Sequence, residues 1–116
     1  EASLLLEGWD SLEGDFRWMN QKKSQLKLVT KKPTVSLKIE AHALKAPQTL
    51  SVYVNDIHIG NNTISEDWQE INYPVWLEPG IHYITLEAAT LYRPADLGLS
   101  PDGRTLAISF KSISLE

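Results

Sequence analysis

Apolar and polar residues alternate at a period of two through most of this chain, and no other feature restricts its fold as strongly. Val35, Leu37, Ile39 and Ala41 share one parity, while Ser36, Lys38, Glu40 and His42 take the other. Successive side chains of an extended strand point to opposite faces, so this pattern predicts a strand with one buried and one solvated side. Leu50, Val52 and Val54 repeat it and run into Asn55-Asp56, residues that tolerate the positive φ angles of a tight hairpin, after which Ile57 and Ile59 return. The same reading places strands at residues 3–6, 16–19, 26–29, 70–75, 81–88 and 106–115, about eight in all.

Turn chemistry separates them: Lys32-Pro33, Ala46-Pro47, Gly60-Asn61-Asn62, Glu78-Pro79-Gly80 and Ser100-Pro101-Asp102-Gly103. No segment carries a helical stripe of useful length. The last strand changes phase, because Leu106, Ile108 and Phe110 share a parity that Ile113 and Leu115 do not. A β-bulge near Lys111-Ser112 is the expected device. Many short antiparallel strands, each with one polar face, predict an all-β, two-sheet antiparallel β-sandwich of jelly-roll type, with a small closed barrel as the alternative.

With 116 residues the chain has the size of one domain spanning 1–116. It opens on Glu-Ala-Ser with neither Met nor a signal peptide, so it is expected to be part of a larger multidomain protein. Eleven Lys and Arg stand against fifteen Asp and Glu, for a formal charge of −4, a field that repels a phosphate backbone and excludes nucleic acid as the expected partner. Lys22, Lys23, Lys27, Lys31 and Lys32 read as solubilising, edge-protecting surface. No apolar run approaches a membrane span. The absence of cysteine removes disulfides, thiol nucleophiles and Cys-ligated metals, so packing must supply the stability.

Catalytic patterns are missing. His42, His58 and His82 lie on different predicted strands without a second ligand at metal-binding spacing, and each is expected to face solvent. No serine sits in a nucleophile motif. Acid pairs such as Glu13 with Asp15, or Asp96 with Asp102, are what any chain with fifteen acids supplies by chance. Gly60, Gly98 and Gly103 read as turn residues with positive φ. No cofactor is expected, although turn carboxylates leave a structural calcium open.

The aromatic residues say more. Four Trp and four Tyr are suited to stacking on the C–H face of a pyranose, while Arg, Asp, Asn and Glu bond its hydroxyls. In Asp15-Phe16-Arg17-Trp18-Met19, Phe16 and Trp18 are assigned the buried parity, which leaves Arg17 as a site candidate. Trp76 at a strand end is placed to present its ring at a rim. Trp9 and Trp68, beside loops, are platforms or plugs.

In order along the chain stand Gly8-Trp9, Gly14-Asp15-Phe16-Arg17-Trp18-Met19, Val52-Tyr53-Val54-Asn55-Asp56 with Ile59-Gly60, Trp68, Leu77 to Gly80, Tyr92-Arg93-Pro94-Ala95-Asp96-Leu97-Gly98 and Asp102-Gly103-Arg104-Thr105-Leu106. This order resembles galactose-binding-like β-sandwich domains that accompany bacterial glycosyltransferases and other carbohydrate-active proteins. The resemblance implies a non-catalytic carbohydrate-binding module that holds a parent enzyme near an oligo- or polysaccharide, in an extracytoplasmic or cell-surface setting. It draws attention to Arg17 and Trp18, and to Arg93, Asp102 and Arg104 in the connection 90–105, whose length calls for a function or for specific anchoring. Asp102 and Arg104 either meet a ligand or pair to pin that connection. The site expected from all this combines a rim aromatic (Trp9, Trp76 or Tyr92) with Arg17, Arg93, Asp102 and Arg104, and the arginines favour an acidic glycan. The rival reading is a structural or interaction domain with no sugar site of its own.

Overall fold

The computed structural model describes residues 2–116. Nine strands follow one another: β1 (Ala2–Leu5), β2 (Arg17–Trp18), β3 (Lys23–Thr30), β4 (Thr34–Ala43), β5 (Gln48–Val54), β6 (Ile57–Ile64), β7 (Gln69–Leu77), β8 (Gly80–Ala88) and β9 (Ile108–Leu115). They form a five-stranded sheet in the order β1-β3-β8-β5-β6 and a four-stranded sheet in the order β2-β9-β4-β7, with every pairing antiparallel. Only β5 and β6 are joined within a sheet, and every other connection crosses to the opposite one. The architecture is a two-sheet β-sandwich, as the alternation predicted.

The alternation decides which residues lie between the sheets. Leu37, Ile39, Ala41 and Ala43 of β4 face Leu26 and Leu28 of β3, Leu50, Val52 and Val54 of β5, and Ile84 and Leu86 of β8 in one continuous core. Burying an aliphatic side chain of this size contributes about 1.5–3 kcal/mol, and in a chain without disulfides the core carries most of the stability. The predicted bulge is present: Glu40 pairs with Ser112 but Ala41 pairs with Phe110, leaving Lys111 as the extra residue of β9. Ile113 and Leu115 are thereby returned to the face occupied by Ile108 and Phe110.

The hairpin turn is also as read. Asn55 and Asp56 have φ of 51° and 68°, the pair of positive values that a type I′ turn requires. Asn55 Oδ1 accepts the amide of Tyr83, and its side-chain amide lies 2.9 Å from His82 Nδ1. His82 is buried, with Nε2 2.7 Å from the carbonyl of Glu78, which corrects the expectation that it faces solvent: both ring nitrogens find protein partners inside the turn region. His58 does face solvent, 2.7 Å from Asn61 Oδ1. Gly60 needs a second correction. It lies inside β6 opposite Val52, beside a shift of register, and does not have positive φ, so the strand continues through the predicted turn.

Candidate functional site

The two-residue strand β2 reverses the parity assigned from sequence. Arg17 pairs with Phe110 and Trp18 with Ser109, and directly opposed residues of antiparallel strands share a face. Arg17 therefore points between the sheets and Trp18 outward. Trp18 is still only 7% exposed, because an aromatic group covers it. Ser109 stands between Trp18 and His42 in neighbouring strands, and its small side chain lets the two rings meet at 5.2 Å. Trp68 closes on His42 at 4.3 Å and Phe16 on Trp68 at 5.9 Å, all edge to face, the geometry that ring quadrupoles favour. Lys111, displaced by the bulge, places its ammonium 4.4 Å from the centre of the Trp68 ring. Burial holds the His42 imidazole below its ordinary pKa, with the charge of Lys111 acting in the same direction against a raising hydrogen bond to the Ala43 carbonyl.

This cluster is one end of a longer strip on the outer face of the four-stranded sheet. Ser112, Glu40 and Glu70 form the next row across β9, β4 and β7, and Ser114, Lys38 and Asn72 the row after it. Ser36 and Pro74 follow, beyond which the pairing of β4 with β7 shifts register; Trp76, 84% exposed, stands past that irregularity at the end of β7. From His42 to Ser36 is six residues of β4, roughly 20 Å at ~3.3 Å per residue. Glu40 and Glu70 stand directly opposite each other at its centre, an arrangement that disfavours the bare sheet and offers acceptors to a ligand.

The residues singled out from sequence do not form one site. Arg104 is spent on three carboxylates: its Nε and Nη2 donate to Asp102 at 2.7–3.1 Å, and Nη1 donates to Asp10 at 2.9 Å and Glu13 at 3.0 Å. The guanidinium holds the Asp102 carboxyl below its ordinary range. This clasp ties the connection after β1 to the connection before β9. Arg93 donates to the carbonyl of Gly103 at 3.1 Å, and Tyr92 pairs through its backbone with Leu106, so the same loop is pinned internally. Trp9 donates its indole N–H to the Gln25 carbonyl at 2.8 Å and packs edge-on against Phe110 at 5.6 Å, which makes it a plug. Arg17 donates to the Asp10 carbonyl at 2.7 Å. Trp76 sits near the Glu78-Pro79-Gly80 turn beside Ile57, Ile59 and Val75, at the other end of β7 from Trp68. Among the described residues no group of three or more His, Cys, Asp or Glu is placed to hold a metal ion.

Comparison with known proteins finds likeness at the level of the fold. No family model and no curated protein matches the sequence. Solved structures do. A family two carbohydrate esterase from Clostridium thermocellum, in complex with cellohexaose, is 10% identical, with a TM-score of 0.66 over 99% of this chain and 31% of that one. A family 29 carbohydrate-binding module is 12% identical, with a TM-score of 0.58 over 97% of this chain and 90% of its own. These likenesses are of fold: a two-sheet β-sandwich shared with the module. A family 35 module from an environmental isolate agrees, at 20% identity and a TM-score of 0.56 over 81% of this chain and 64% of its own. The chain spans about a third of the esterase it matches. The association with bacterial glycosyltransferases implied by the sequence resemblance finds no support among these neighbours.

Proposed function

We propose that the chain is a non-catalytic carbohydrate-binding module of a larger protein, and that it lays an oligosaccharide along the outer face of the four-stranded sheet, with Trp76 as its stacking platform. One observation carries this reading: Trp76 is 84% exposed while Trp9, Trp18 and Trp68 are all packed against other rings. Tryptophan is on average a well-buried residue, and an exposed flat ring on a rigid strand is a preformed stacking surface. Glu40, Glu70, Asn72 and the β9 serines supply acceptors and donors for sugar hydroxyls along the strip. The likeness to modules from carbohydrate-active proteins supports the same reading. Glu40 and Glu70 oppose each other on an open sheet face and not across a cleft, which suits hydroxyl binding better than acid–base chemistry on a glycosidic bond.

The deciding experiment is a glycan-array screen of the wild-type domain and the Trp76→Ala and Glu40→Gln variants, followed by calorimetry on any hit. Binding that is lost in Trp76→Ala and weakened in Glu40→Gln supports the strip. Binding untouched by either moves the site elsewhere, and silence across neutral and acidic glycans favours an interaction domain with no sugar site.

A further inference from the structure

Between the sheets, at the edge where β2 stops after two residues, a cleft of about 150 Å³ opens beside β9. Leu5, Trp9, Leu26, Phe110 and Ile113 give it an apolar wall, beside which lie Ser3 and Ser112. Its mouth carries Arg17, Lys111 and Asp15. The feature that calls for explanation is Arg17. Its side chain is half-buried and turned inward, and one Nη donates to the Asp10 carbonyl. Among the described residues no carboxylate lies within ion-pair distance of it. The nearby acids are committed elsewhere: Asp10 and Glu13 to Arg104, and Asp15 at 4.0 Å to Lys111. A cation withdrawn from water beside an apolar wall is costly unless an anion meets it, and a guanidinium presents its donors in a fork matched to a carboxylate.

We infer that this cleft is a binding site for a compact apolar carboxylate, independent of the sugar strip: the carboxylate meets Arg17 at the mouth and the apolar body enters between Trp9, Leu26 and Phe110. A cavity of about 150 Å³ admits a benzene ring in a protein interior, which sets the size of the body. The Lys111 ammonium stands over the Trp68 ring and 4.0 Å from Asp15, so Arg17 is the cation at this mouth left without a carboxylate among the described residues. The same chemistry is offered by a free aromatic or short-chain acid and by a half-ester acyl group carried on a sugar.

The test is an amide and indole NMR titration of the whole domain with sodium benzoate, with benzyl alcohol as the uncharged analogue and a succinyl half-ester of methyl glucoside as the sugar-borne source. Saturable shifts are expected at the Trp9 indole and at residues 17 and 110–113, with benzoate at least tenfold tighter than benzyl alcohol. Arg17→Gln removes that preference and Arg17→Lys keeps part of it. Response to benzoate alone assigns the free acid, and response to the half-ester assigns the sugar-borne group. Absence of saturable shifts at these positions with both, or equal affinity for benzoate and benzyl alcohol on the wild-type protein, overturns the inference without reliance on any variant. Trp76→Ala is expected to leave benzoate binding unchanged, so loss of the sugar strip and loss of the acid cleft are read separately.

Discussion

The ring of Tyr73 lies so close over Gly60 that a methyl group at position 60 would sit 2.8 Å from Cε1. The contact joins β7 of one sheet to β6 of the other, and the missing side chain, not a special backbone angle, is what glycine contributes. Gly60→Ala is expected to destabilise the fold by about 1–3 kcal/mol through overpacking, measured by urea denaturation. Tyr73→Phe should do the reverse by about 1 kcal/mol, because the phenol is buried with no hydrogen-bond partner. Burial pushes this phenol up to about 12, so the stability tied to it is present below the ordinary tyrosine value and lost as pH rises through 12. Ultraviolet titration should show one late-ionising tyrosine that is absent from Tyr73→Phe.

Trp76 and Trp18 should separate cleanly in a stability assay. Trp76→Ala is expected to stay within about 0.5 kcal/mol of wild type, as exposed positions do. Trp18→Ala should cost about 3 kcal/mol or more, because it removes the ring that His42 and Phe16 pack against. Comparable losses in both variants would mean that the Trp76 ring is not free.

The Arg104 clasp should govern acid behaviour. Arg104 holds the Asp102 carboxyl below its ordinary range through paired hydrogen bonds. For a depressed carboxyl the stabilisation is complete above its unfolded-state pKa, about 3.9, and is lost as pH falls through the folded value. Arg104→Lys is expected to lower Tm at neutral pH, since a point charge cannot span three carboxylates, and to flatten this acid limb. A Tm–pH profile identical to wild type would remove the clasp from the account.

His42 works at higher pH and with its own sign. Its pKa is lowered from 6.5, first by burial, so between 6.5 and the folded value the unfolded chain binds more protons and stability falls as pH drops through that window. His42→Gln should remove this part of the pH dependence. Thermal melts across the window, wild type against variant, give the comparison.

The strands, the type I′ turn at Asn55-Asp56 and the bulge at Lys111 were legible because each is encoded locally, by parity or by turn chemistry. The facing of Arg17 and Trp18 was not. Two residues carry too little alternation to fix a register, and the default that large aromatics go inward gave way to the pairing of Trp18 with Ser109. The aromatic cluster joins Phe16, Trp18, His42 and Trp68, residues drawn from β2 and its approach, from β4 and from the lead-in to β7. Its one sequence trace is His42, the large ring on the polar parity of an otherwise clean strand. Arg93 and Arg104 looked like ligand contacts because sequence shows their charge but not the acids that fold against them.

The extra residue of β9 has a consequence for how this protein can change. Deleting Lys111 would remove an ammonium group from the Trp68 ring. It would leave Ser112 opposite Glu40 and Ile113 opposite Ile39 as they stand, because Lys111 is the residue with no partner on β4, and β9 would run on as a regular ladder. Ile113 and Leu115 would still close the sandwich, and Ser112 and Ser114 would still face the strip. The bulge can therefore absorb the loss of one residue without turning the core side chains of β9 out to solvent.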